Sequence, residues 1–439
     1  MLVKEIYLEI ISEVSDRISK KIIDEESSLV QRATVIDKDI KDIVQEIGLL
    51  TTLKVLEKTR DKVVSKKKAE GMTIHKNPAI KYNVIFGTIE LKSPYLWPGP
   101  NPSKPLTDEM NITHLGRSET VKRALSDFGI DESFAISRRK FKEHYNFEIG
   151  ISTADRTTKE IALEASTYIE NKLSNVSLES TSCKEKILIE LDGCEIRTAL
   201  VNVIENSDER TPVYSNPKKE KVVKWRDVRL GFARPIDQKE KVFVGKMDTY
   251  PSVVNQLNGA AELIGMNSES VVIGIADGGI GISEELKRQF PDMQFILDKS
   301  HLRDHLYETA KEMGVCKEYL KKWVETRIKK ISNGQVDLII DELVTENDRN
   351  PCARLKRLIG YLKRFNDALD YGSFKKMGYP IGSGEIESAH KSVPQKRLKI
   401  PGASWNPDSI NPMLALRILR ADDWWEDFWV QKTEKLLAA

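Results

Sequence analysis

Three apolar runs that each end in an aspartate constrain this chain more than any other feature. They are KILIELDG, VVIGIADGG and MQFILDKSH, which end in Asp192, Asp277 and Asp298. Short runs of Ile, Val and Leu bounded by glycine read as strands buried on both faces. The first is expected to turn after its acid. RTALVNVIE, WRDVRLGFARPID and KVFVGK then follow as further strands, and AELIGM and SEELKRQF read as helices. Strands first, then alternating strand and helix, indicate an α/β domain built on a mixed sheet.

The remainder of the 439 residues is long enough for several domains. Residues 1–75 read as an N-terminal helical region, with Ile6, Ile10, Val14, Ile18 and Ile22 at helical spacing. Either a small helical domain or a dimerisation helix pair fits that stripe. Residues 76–115 read as a short extended segment followed by the Pro-rich loop PGPNPSKP. Residues 116–182 carry three helices with short turns. Ser118 is placed to cap the first and Ser152 or Thr153 the third, a layout like a DNA-reading helix-turn-helix. Arg156, Thr157 and Lys159 near the start of the third helix are the residue types that would face DNA. Residues 183–301 form the first part of the α/β core, 302–378 a helical insertion, and 379–439 the last part of the core with a C-terminal amphipathic helix. The tryptophans of ADDWWEDFW read as packing residues.

Composition narrows the function classes. The formal net charge is +2, so any nucleic-acid contact depends on a local basic stripe. Four scattered cysteines without CxxC spacing argue against a zinc knuckle or a disulfide framework and for a reducing cytoplasm. No apolar run is long enough to span a membrane, and the N-terminus lacks the pattern of a signal peptide.

Asp192 and Asp277 each precede a glycine at the end of an apolar run. Strand ends are where sites form in α/β sheets, and glycine lets the backbone turn and a ligand approach. Glu385 and Glu387 in GSGEIES open a helix and could supply a third carboxylate. Such an all-oxygen set suits Mg²⁺ or Mn²⁺, and a pair of ions would serve phosphodiester displacement. His301 and His305 form HxxxH, but Leu302 stands where a zinc protease needs glutamate. GIADGGIGI lacks the Lys-Ser/Thr of a P-loop and the order of a dinucleotide fingerprint, which excludes nucleotide binding by those motifs. Lys391, Lys396, Arg397 and Lys399 in KSVPQKRLKIPGASW place four positive charges just after the acids and are expected along DNA.

LDGCEIR, RDVRLG, ADGGIGI and ILDKSHLRDHL, together with the longer YPIGSGEIESAHKSVPQKRLKIPGASW and NPMLALRILRADDWWEDFW, carry a resemblance. Over roughly residues 80–430 the chain resembles the DDE transposases of bacterial insertion sequences, ISKra group, related to Mutator-like elements. The resemblance implies an RNase H-like core interrupted by a helical insertion. It implies a catalytic triad of Asp192, Asp277 and Glu387 on Mg²⁺ or Mn²⁺, and an Asp-x-x-His signature at Asp298 and His301. The implied partners are terminal inverted repeats and target DNA, with a homodimer or higher oligomer in the nucleoid-associated cytoplasm. His301 is expected to support strand transfer. A DNA-binding protein without activity and a stand-alone nuclease are the competing functions.

Overall fold

The computed structural model describes residues 29–97, 102–176, 183–203 and 219–438, together with Leu8, Ser12 and Ser15. The apolar stripe of Ile6 to Ile22 lies outside the described residues. Two compact units divide the chain at Ile161 and Ala162.

In the first unit a 41-residue helix, α1 (Leu29–Ala69), precedes β1 (Thr73–Lys76), β2 (Ala79–Val84), β3 (Gly87–Lys92) and β4 (Tyr95–Trp97). β3 alternates buried and exposed along its length, so one face of the small sheet is covered. Leu49, Leu53 and Leu56 of α1 pack there on Ile80, Val84, Ile89 and Leu91. The short α2 (Pro105–Asp108) and β5 (Gly116–Arg117) lead to α3 (Glu119–Asp131), α4 (Phe134–Tyr145) and the start of α5 (Ile151–Ser174). Ser118 caps α3, accepting from the Val121 N–H, and Ser133 caps α4 in the same way through Ile136. Gly129 lets α3 and α5 approach closely, since a β-carbon there would lie 2.2 Å from Thr158 Oγ1. The third helix already begins at Ile151, so Ser152 and Thr153 stand inside its first turn, and the Gly150 carbonyl accepts from Thr153.

The second unit is mixed α/β. Its five-stranded sheet runs β10-β9-β6-β7-β8, from β6 (Lys186–Val203), β7 (Lys219–Pro235), β8 (Val242–Lys246), β9 (Val271–Ala276) and β10 (Gln294–Leu297). β6, β7 and β8 pair antiparallel; β9 lies parallel to β6, and β10 parallel to β9. Five of the six β9 residues are buried, which is why that strand reads as an unbroken apolar run. The expected turn after Asp192 is corrected. β6 runs on through Asp192 and Gly193 to Val203, because Gly193 pairs with Arg229 of β7 and the antiparallel ladder never breaks. Only the parallel partner β9 stops, at Glu190 opposite Ile275.

Helices α6 (Tyr250–Leu263) and α7 (Ile282–Gln289) flank β9 in sequence. After β10 come α8 (Lys299–Glu312), α9 (Lys317–Ser332), α10 (Val336–Arg349), α11 (Ala353–Arg364) and α12 (Tyr371–Lys376), with no strand among them. The GSG turn then opens α13 (Gly384–His390). A π-helical turn over Lys391–Gln395 continues it into α14 (Lys396–Leu398). The wide turn holds Pro394, which has no N–H to give the preceding turn. Buried Arg417 donates to the Ser392 and Val393 carbonyls there. The C-terminal pattern forms two helices rather than one, α15 (Ile410–Ala421) and α16 (Trp425–Ala438). Asp423, in the left-handed region at φ 58°, turns the chain between them. Trp424, Trp425 and Trp429 are buried. Among the described residues no helix is long and apolar enough to cross a membrane.

Candidate metal centre

The sheet register brings three aspartates to one edge. The β6–β9 ladder ends at the Glu190–Ile275 pair, two residues before Asp192 and Asp277, and Asp277 lies near enough to act on the Asp192 charge. One step beyond the Leu297–Ala276 pair, Asp298 comes opposite Asp277, and its N–H donates to the Ala276 carbonyl at 3.0 Å. Neighbouring residues in a parallel ladder share a face. Each carboxylate is partly committed. Asp192 Oδ1 accepts from its own Gly193 N–H at 2.7 Å, and Asp277 Oδ1 from Gly279 N–H at 3.0 Å.

Asp298 is fully buried and caps α8, accepting from Ser300 N–H at 2.5 Å. Its other oxygen takes the Ser383 N–H at 3.1 Å and the Ser383 hydroxyl. With Lys299 N–H donating to the Ile381 carbonyl at 3.1 Å, this fixes the GSG turn at the strand edge. The helix that follows is anchored again when Ile386 N–H donates to Glu190 Oε2 at 2.8 Å.

The two glutamates of GSGEIES face apart, as the helical turn of about 100° per residue requires. Glu385 forms ion pairs with Arg234 and Lys241, both at 2.6 Å. Glu387 turns to Asp298 and His301. Ligand atoms of these three lie within 4.8 Å of one another and could hold a metal ion. Asp192, Asp277 and Glu387, the expected triad, do not make such a tight group among the described residues. Asp192 and Asp277 each turn one oxygen to a local amide, and Asp192 Oδ2 instead faces His390 Nε2 at 3.5 Å.

Electrostatics follow burial. Burial pushes the Asp192 carboxyl above its ordinary range and Asp277 adds to this, while His390, the Gly193 N–H and His301 oppose it. Burial lowers His390, against the pull of Asp192. Glu190 is pushed to about 8 by burial, with Glu385 adding; the Ile386 N–H, Lys241 and Arg234 oppose. His305 is also lowered by burial and packs at a tilt against Tyr361, ring centroids 4.8 Å apart. That ring lies against Gly278, where a β-carbon would come within 2.1 Å of it.

Two nucleic-acid expectations are corrected. Thr157 is fully buried, its hydroxyl donating to the Thr153 carbonyl, so it cannot face DNA. Arg397 is 3% exposed with its guanidinium over the Trp405 ring at 4.6 Å, so packing claims its charge. Residues 391–398 of this segment are helical. Lys391, Lys396 and Lys399 are exposed on it. Arg156 is exposed, and Lys159 pairs with Asp155 at 2.9 Å.

Sequence reasoning missed His390 and Glu190. The available signals were spacings: His390 lies three residues after Glu387, on the same helical face, and Glu190 two before Asp192, on the same strand face. No family model matches the chain, and no curated protein sequence matches it significantly.

Proposed function

We propose that the chain is a metal-dependent DNA transposase of the DDE type, with an RNase H-like core carrying a helical insertion between β10 and α13. The observation that carries this is the meeting of Asp192, Asp277 and Asp298 at one sheet edge with a helix bearing Glu387. A three-stranded meander extended by two parallel strands is the arrangement an RNase H-like core calls for. The donor set fits a divalent cation. Asp298, His301 and Glu387 converge within 4.8 Å, and the buried His390 imidazole stands 3.5 Å from Asp192 Oδ2. Asp192, Asp277, Glu387, Asp298 and His301 would hold Mg²⁺ or Mn²⁺, which when bound lowers the charge barrier to in-line phosphodiester displacement.

The protein's own groups do the positioning. Asp298 and Glu190 fix the helix that presents Glu387. Lys391, Lys396 and Lys399, just beyond that helix, supply positive charge for a phosphate backbone. The α3–α4–α5 segment, with exposed Arg138, Arg139 and Arg156, would bind element ends as a helix-turn-helix.

The test is incubation of the full chain with DNA carrying the ends that flank its gene. Cleavage and strand transfer in Mg²⁺ or Mn²⁺, abolished by excess EDTA, is the expected result. Cleavage in excess EDTA, or DNA binding without cleavage in any divalent cation, would overturn the reading. Cleavage without joining would favour a stand-alone nuclease.

A further inference from the structure

His390 is 3% exposed, and among the described residues neither ring nitrogen has a hydrogen bond of good geometry, although the Asp192 backbone lies near enough to attract its proton. A buried imidazole left so is costly unless a ligand completes it. Its Nε2 stands 3.5 Å from Asp192 Oδ2. That is too long for a good hydrogen bond. Two donors about 2.1 Å from one ion at a near-tetrahedral angle stand about 3.4 Å apart. Asp192 Oδ1 is occupied by the Gly193 N–H, which leaves Oδ2 as the oxygen turned to the histidine. The imidazole is held from behind: the π-helical turn starts at the next residue, and Arg417 ties down its Ser392 and Val393 carbonyls.

We infer that His390 is a metal ligand, its Nε2 sharing a divalent transition-metal ion with Asp192 Oδ2. This rests on reading the acid edge as a cation site. The same helix serves two positions, Glu387 with Asp298 and His301, and one turn later His390 with Asp192. An imidazole at each shifts the preference from Mg²⁺, which favours oxygen donors, toward Mn²⁺, Co²⁺ or Zn²⁺.

Metal-stripped full-length protein is titrated with Mn²⁺, and free Mn²⁺ is followed by electron paramagnetic resonance. Spin-echo modulation from coordinated ¹⁴N is recorded on the loaded protein. His390→Ala should weaken binding at one position by about tenfold or more, on the scale seen for groups that only support metal ligands, and should remove part of the ¹⁴N modulation. His390→Gln fills the space without an imidazole nitrogen to donate and should behave alike; circular dichroism checks that each variant is folded. Folded variants with unchanged Mn²⁺ affinity and ¹⁴N modulation would overturn the inference. If the unaltered protein binds no Mn²⁺, the cation site fails as a whole. If Glu387→Gln loses Mn²⁺ while His390→Ala and His390→Gln do not, only the role of His390 fails.

Discussion

Glu190 and Ile386 tie the strand that carries Asp192 to the helix that carries Glu387: the Ile386 N–H donates to the buried Glu190 carboxyl at 2.8 Å. The contact joins residues 196 positions apart, and it lies two residues before Asp192 and one before Glu387. The helix face bearing Glu387 and His390 is therefore set by a side chain of the sheet and not by the helix alone.

Glu190→Ala should leave the Ile386 N–H unpaired in the interior and open a cavity. A loss of about 2–4 kcal/mol is expected. Glu190→Gln keeps an acceptor in place, and its loss should be within about 1 kcal/mol. Denaturant midpoints of the two variants check this, and equal losses would show that neither the filled volume nor the acceptor, both kept by Gln, carries the effect.

Asp422 gives a pH signature away from the acid edge. Both its oxygens accept from the Phe243 N–H, at 3.0 and 3.2 Å, and burial raises its pKa well above the ordinary 3.8. The unfolded chain releases this proton near its ordinary value, whereas the folded chain keeps it to higher pH. Stability from this group is therefore lost as pH rises from about 4 through the folded value and is level above it. Asp422→Asn keeps an acceptor for Phe243 and removes the charge. The variant should be more stable than the parent at pH 8 and little different at pH 4. Thermal unfolding at the two pH values checks it; an equal difference at both would contradict the assignment.

Much of the α/β unit was legible because central strands buried on both faces are written as continuous apolar runs, as in VVIGIA. The long β6 was not. Glycine after an acid reads as a turn, and only the partner Arg229 shows that Gly193 is held extended. The opposed directions of Glu385 and Glu387 follow from helical geometry, and Arg234 and Lys241 are where the sequence could not point. Arg397 shows the reverse failure. Its charge suggests exposure, but the Trp405 ring buries it, and that meeting depends on the helical turn that holds Pro394.

The basic segment should split by burial. Lys391→Gln, Lys396→Gln and Lys399→Gln together should flatten the salt dependence of DNA binding, since each lost phosphate contact lowers the slope of log affinity against log salt by about one. Arg397→Gln should instead lower stability, through loss of its packing on Trp405, with the slope unchanged. Binding isotherms at several salt concentrations check both. A slope lowered by Arg397→Gln in a stable protein would place that guanidinium on DNA after all.

Glu387 and Glu385 offer the sharpest contrast. Glu385 is neutralised by Arg234 and Lys241, and Arg234 is also held by the Pro235, Ile236 and Gln238 carbonyls. Glu385→Gln therefore leaves the guanidinium in place and should cost about 1–2 kcal/mol of stability, as expected for weakening a partly buried charged hydrogen bond. Cleavage should persist. Glu387 is exposed, makes no ion pair among the described residues, and faces His301 and Asp298. Glu387→Gln keeps the shape and removes the charge, so folding and end binding should change little. Cleavage should fall by roughly a thousandfold or more, equivalent to about 4 kcal/mol of transition-state stabilisation. The two variants are compared in one assay series of thermal unfolding, end binding and cleavage. A Glu387→Gln protein that cuts normally beside an inactive but folded Glu385→Gln protein would move the chemistry to the Arg234 side of the helix.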